Sequence, residues 1–173
     1  GMENPTDEDA RRFDKDRKKK GSNQEWESPS DPDSRIAKMK DGTTHLAYKA
    51  EHVVDLESEF VVAAPVYHAD QGDTATLPES MIAAQVNLVV AGSETEIEEV
   101  AADKGYHKAE TIHDCEQFGH RTYIPEPKRK KRKWKDKPEG HERSYRNNRR
   151  RVQGEKSKGL QRRRSEVVER SFA

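Results

Sequence analysis

The sequence predicts an α/β chain, and three observations carry that prediction. Segments with strand patterning recur at residues 45–56, 60–66, 100–103 and 121–124. Segments with helical spacing fall between and after them, and glycine or proline marks most of the junctions.

Residues 1–34 are polar and charged, with Pro5, Pro29, Pro32 and a basic run from Arg17 to Lys20, which predicts a flexible polar arm. Residues 35–127 hold the predicted core. From His45 to Leu56, Leu46, Tyr48, Ala50, His52 and Val54 share one side of a period-2 alternation, as in a half-buried strand. Phe60 to Val66 is a short apolar run suited to a more deeply buried strand. The polar stretch Asp55 to Glu59 joins the two as an antiparallel hairpin. Turn residues from Asp70 lead into a helix with Thr76 as N-cap, Pro78 in its first turn and Glu79 three residues on. It runs through Met81, Ala84 and Leu88 to Gly92.

Val100 to Asp103 predicts a short strand that ends on a carboxylate. Ala109, Ile112, Cys115 and Phe118, followed by Gly119, predict a helix with a glycine C-cap. Arg121 to Ile124 is a last strand, stopped by Pro125 and Pro127. Residues 128–157 lack apolar periodicity and predict a basic, largely irregular segment. Residues 158–173 form a final helix, with Leu160, Arg164, Val167, Val168 and Phe172 in one sector.

At 173 residues there is room for one domain of ordinary size, and with 30% hydrophobic against 38% charged residues the core is expected to be modest. The net charge of zero hides an asymmetry. Residues 128–164 hold 18 Lys/Arg against 4 Asp/Glu, leaving 15 against 29 in the rest of the chain. Such a block points to a polyanion partner, although a solvated basic tail has the same composition. Cys115 is the only cysteine, which excludes an internal disulfide and favours a reducing compartment. No apolar run reaches the roughly 18 residues of a membrane span, so a cytoplasmic location is expected.

Asp103 ends an apolar strand ahead of Lys104-Gly105-Tyr106. Functional groups in open α/β sheets gather beyond the carboxyl ends of strands, but an Asp at such a place is also an ordinary turn former. Glu169 falls beside the Phe172 edge of the last helix's apolar sector, and Glu166 points further toward solvent. Either also suits an exposed pair with Arg162, Arg163 or Arg170. His107, His113, Cys115 and His120 lack the paired spacing of a zinc site, and helical geometry makes Cys115 a core residue. Neither a phosphate-cradling glycine loop nor a Ser/His/Asp motif is present.

Four blocks, in order, resemble the bacterial insertion-sequence DDE transposases. They run from Asp31 to Asp55, from Ala69 to Leu77 (ADQGDTATL), from Val100 to His107 (VAADKGYH) and from Arg162 to Ala173 (RRRSEVVERSFA). The resemblance implies a partial RNase H-like mixed sheet with flanking helices, preceded by the arm and carrying a long basic insertion before the last helix. It makes Asp103 similar to the second Asp of the Asp-Asp-Glu triad and Glu169 similar to the Glu, with Glu166 the other candidate. It implies Mg²⁺ (or Mn²⁺) as cofactor, DNA as partner and a nucleoid-associated location. The implied reaction is metal-dependent phosphoryl transfer, in which water nicks DNA and the freed 3′-hydroxyl attacks target DNA.

Nothing between Met2 and Lys40 resembles the strand that bears the family's first Asp. A chain without that central strand is expected to be inactive alone and to pair through exposed sheet edges, with itself or with the transposase segment that supplies the strand. DNA contacts are expected at Lys128, Arg129, Lys130, Lys131, Arg132, Lys133, Trp134, Tyr145, Arg149, Arg150 and Arg151, with cations on phosphates and the two aromatics on unpaired bases. The competing expectation is a non-enzymatic nucleic-acid-binding protein in which the basic segment does everything.

Overall fold

The computed structural model describes residues 6, 8–9, 12, 22–24, 26–39, 42–128 and 132–172, arranged in two compact units. The first unit comprises Gly1–Tyr48 and His68–Asp70, and the second Lys49–Tyr67 and Gln71–Ala173.

In the first unit β1 (Arg35–Lys38) pairs antiparallel with β2 (Thr44–Ala50), in a register set by Arg35 opposite Ala47 and Lys38 opposite Thr44. Gly42, with φ of 88°, supplies the left-handed residue of the turn between them. The Asn23 side-chain amide pairs with the Ile36 backbone, accepting from its N–H at 2.6 Å and donating to its carbonyl at 3.4 Å. Tyr48 donates to Asp31 at 2.8 Å, and the His68 ring meets the Asp33 carbonyl at 2.8 Å. The described part of the expected arm is therefore tied to a strand pair by hydrogen bonds. Its basic run lies outside the described residues.

The second unit carries the core. The expected hairpin is broken into two ladders, because β2 ends at Ala50 and a separate β3 (Val53–Val54) pairs antiparallel with β4 (Val61–Ala63). β5 (Val66–His68) completes the order β1-β2-β5. The break has a local cause. Pro65 has no N–H to continue the ladder, although its carbonyl still accepts from the Glu51 N–H at 3.0 Å.

Burial is also reversed from the expectation on both strands. Leu46 and Tyr48 are exposed, whereas Ala47 and Lys49 are half-buried and Glu51 is buried. Phe60, Val61 and Val66 are exposed, and in the run only Ala63 is buried.

α1 (Asp73–Val90) starts three residues before the expected cap, with Gly72 at its N-cap. Thr76 is inside the helix and donates to a buried carboxylate. β6 (Glu99–Ala101) and β7 (Arg121–Tyr123) pair in parallel, with Val100 opposite Thr122, and α2 (Ala109–Gln117) forms the crossover between them. A parallel pair joined by a helix is the βαβ unit. Leu77, Met81, Val100, Ala102, Ile112, Cys115 and Ile124 form its core, with Val53, Ile97 and Tyr106 packed against them.

The basic segment is not largely irregular. His141–Val152 forms α3, and α4 (Glu155–Ser171) starts three residues before the expected residue 158. Apolar periodicity missed α3 because polar side chains carry its buried face. The Ser144 hydroxyl donates to Glu116, the Asn148 amide pairs with both the N–H and the carbonyl of Ile124, and Arg151 donates to the Thr122 carbonyl at 3.0 Å. Ser144 and Asn148 are fully buried. These mixed sheets with flanking helices are a partial RNase H-like α/β architecture.

Candidate active site

The carboxyl ends of β6 and β7 lie side by side because the strands run parallel, and the chain leaves β6 through Asp103. Asp103 caps the 3-10 turn Lys104–Tyr106, its carboxylate accepting from the Gly105 N–H at 3.0 Å. Its other oxygen stands 3.7 Å from the Arg164 guanidinium on α4. Gln161, one turn before Arg164, docks the helix by donating to the Tyr123 carbonyl at 2.6 Å and the Ala102 carbonyl at 3.3 Å. Its amide oxygen accepts from Arg164 at 3.1 Å. One side chain thus ties α4 to both strand ends and to the cation that faces Asp103.

Asp73, read from sequence only as turn chemistry, belongs to the same neighbourhood. A Cβ on Gly105 would lie 2.5 Å from an Asp73 carboxylate oxygen and 3.8 Å from one of Asp103, so the two carboxylates flank one glycine. Lys49 neutralises Asp73 at 3.0 Å and reaches Glu51 at 2.7 Å. Glu51 also accepts from Thr76 at 2.5 Å and Ser80 at 2.6 Å. Burial alone raises the Glu51 pKa, but the hydrogen bonds from Lys49, Ser80 and Thr76 outweigh it and hold the carboxyl below its ordinary value. Burial acts on Lys49 in the opposite sense, and Glu51 and Asp73 overcome it to raise its pKa. Tyr106 is pushed strongly upward, first by burial and then by the nearby Glu51 and Asp73. No motif flagged Lys49 or Glu51; a charged pair two residues apart on one strand face was the only signal.

Glu169 is exposed on α4 and accepts from Ser165 one turn earlier at 3.0 Å. It lies eight residues beyond Gln161, about 12 Å further along the helix axis. Glu166 is also exposed, 3.9 Å from Arg170. The contacts of Asp103 and of Glu169 are therefore separate. Carboxylate oxygens are the donors that hard Mg²⁺ prefers, but among the described residues no three His, Cys, Asp or Glu side chains are grouped to hold a metal ion. This arrangement does not fit a metal pair.

Cys115 lies in the core as helical geometry placed it, and burial pushes its thiol up to about 11. His120 meets the Ile97 carbonyl at 2.6 Å, and His113 meets the Ser144 hydroxyl at 3.0 Å.

The expected DNA-contacting residues divide. Lys128 and Lys133 are exposed, whereas Arg129, Lys130 and Lys131 lie outside the described residues. Arg132 stands over the rings of Trp134 at 5.3 Å and Tyr145 at 5.0 Å. Tyr145 is only 4% exposed, packs edge-on against Trp134 and His107, and donates its hydroxyl to Glu126. With no free face, it is a packing residue here and not a stacking platform. Arg151 is likewise engaged, holding Thr122 through its carbonyl and hydroxyl, with its pKa lowered by burial. Arg149 leans on Glu126 at 3.7 Å, and Arg150 is exposed.

A parallel strand pair that delivers an Asp at its carboxyl end and packs against α4 is a partial RNase H-like α/β arrangement. The transposase DDE domain family matches residues 9–173, and the chain belongs to that family. No curated protein and no solved structure matches it. DNA transposition is the family's function, with DNA its partner and divalent metal ions its cofactors. Membership does not favour the non-enzymatic alternative. Among the described residues no helix is long and apolar enough to cross a membrane.

Proposed function

We propose that this chain contributes Asp103 and Glu169 to a transposase centre that nicks DNA and transfers the freed 3′ end, and that the chain alone does neither. The observation that carries the reading is the position of Asp103, at the end of a parallel strand and within reach of Arg164 on the helix that bears Glu169. Glu166, three residues earlier on the same helix, is the other candidate. Inactivity is proposed because residues 2–40 do not resemble the strand that bears the family's first Asp, and because the contacts of Asp103 and Glu169 are separate. No step is assigned to a metal ion with this donor arrangement.

The basic segment supplies the DNA contact in this reading, through Lys128, Lys133, Arg150 and their neighbours. Among the described residues the β3-β4 and β6-β7 ladders have two strands each, and in this reading their edges pair with a second copy or with the transposase segment that carries the first Asp. The test is incubation of the purified chain with element-end DNA and Mg²⁺ or Mn²⁺. Intact DNA is expected, and element-specific nicking that Asp103→Ala abolishes would overturn the claim of inactivity. Light scattering checks the association, which predicts a mass above that of one chain.

A further inference from the structure

α3 has two faces. Ser144, Asn148 and Arg151 turn inward and Asn147 donates to Glu116 at 3.0 Å, while Arg143, Arg146 and Arg150 at i, i+3 and i+7 are exposed on a neighbouring face. That outer face, together with Trp134 and residues 137–140, borders an open concavity of about 520 Å³. Trp134 and Lys137 also line it. Four cations thus surround one concavity against two carboxylates, Glu139 and Glu142. Glu142 is committed to Arg146 at 2.5 Å, but both partners of that pair are substantially exposed, so the pair contributes little and can yield to a stronger anion.

About 520 Å³ is the size of a small-molecule pocket. A concavity of that volume has room for a base with its sugar and phosphate. Trp134 is half-buried, with Tyr145 against it edge-on at 4.9 Å, and still contributes surface to the cavity. Arg143 to Arg150 spans about 10.5 Å along the helix axis, a line of charge suited to following a backbone. A cationic line beside an aromatic side chain is a combination that holds single strands without reading their sequence.

We propose that this trough binds a single nucleic-acid strand, with phosphates along Arg143, Arg146 and Arg150 and an unpaired base against Trp134. The proposal rests on the reading that the basic segment contacts DNA. It moves the principal contact from the Lys128–Lys133 run to the outer face of α3 and makes an unpaired strand the preferred ligand.

The test uses the full chain carrying Trp26→Phe, so that Trp134 is the only tryptophan, titrated with oligothymidylate and with a duplex of equal length. Single strands are expected to quench Trp134 emission and to bind at least several-fold more tightly than the duplex. The salt dependence should fall at about −0.7 per phosphate contacted. Arg143→Ala/Arg146→Ala/Arg150→Ala should remove the quench, weaken binding on the order of 10-fold or more at low salt and flatten the slope by about 2. These positions are exposed, so folding is retained, and an unchanged circular dichroism spectrum checks this. Trp134→Phe is expected to bind within a few-fold of the parent, and Trp134→Ala more weakly. Persistent quenching in the triple variant would overturn the proposal, as would equal quenching by duplex. If the slope flattens only when Lys128, Lys133 and their neighbours are replaced, the trough is refuted while DNA binding stands. If the parent chain binds neither oligonucleotide, the DNA-contact reading falls with it.

Discussion

α3 and the 60–66 run invert the usual link between composition and burial. α3 has few apolar residues, yet Ser144, Tyr145 and Asn148 are among the most buried side chains. The 60–66 run is almost wholly apolar, yet Phe60 is 74% and Val66 64% exposed. The difference lies in what each segment offers its neighbours. α3 supplies hydrogen-bond partners for groups with none of their own, notably the Ile124 backbone just beyond β7 and the Glu116 carboxylate. The 60–66 run offers apolar surface where the described structure packs little against it. Burial here follows pairing of polar groups as much as hydrophobicity.

The sharpest way to break the comparison is Asn148→Ala. The change leaves the Ile124 N–H and carbonyl without their partners in a site that is fully buried. Unpaired buried groups cost about 1–3 kcal/mol each, so a loss of roughly 2–6 kcal/mol is expected in urea unfolding at fixed protein concentration. A loss below about 0.5 kcal/mol would show that water replaces the amide and that α3 is held by other contacts.

A second, smaller effect concerns Glu51, the other polar group taken into the interior. Its folded-state pKa is below the ordinary 4.5. Its contribution is therefore complete above about pH 4.5 and is lost as pH falls through the lower folded-state value. Glu51→Gln should destabilise the chain at pH 7 by on the order of 1–3 kcal/mol, by removing the charge that Lys49, Thr76 and Ser80 surround. The gap between parent and variant should narrow on acidification, and a gap independent of pH would show that the carboxylate charge is not what those donors stabilise.

The same contrast explains what could be read from the sequence. The two short strands, the helix between them and the placement of Asp103 at a strand end were legible, because Val100, Ile112, Cys115 and Ile124 are apolar and buried; their parallel pairing was not. Gly119, with φ of 84°, ends α2 where a glycine was expected. α3 was not legible, since its buried positions are Ser144, Asn148 and a single aromatic, Tyr145, which make no hydrophobic period. The β2 face was misread because Lys49 and Glu51 are covered while Leu46 and Tyr48 are not, an inversion that depends on Thr76 and Ser80 from a distant helix. Tyr145 was misassigned for a related reason. An aromatic among arginines looks like a stacking platform until its partners, Glu126 and His107, are placed beside it.

The smallest stability effect is expected at the exposed apolar run, where it carries the most information about association. Phe60→Ser and Val66→Thr remove side chains that are mostly solvated, so each should change the unfolding free energy by no more than about 0.5 kcal/mol. Exposed apolar residues beside short strands with open edges nonetheless favour contact with another chain. Ile82, Val86 and Val89 on α1 add to the exposed apolar surface. The double variant is therefore expected to leave the urea midpoint almost unchanged while lowering the mass seen by light scattering toward that of one chain. A large fall in stability would mean that the run is covered in solution and that its contrast with α3 fails. An unchanged mass together with unchanged stability would assign any self-association to the backbone edges alone.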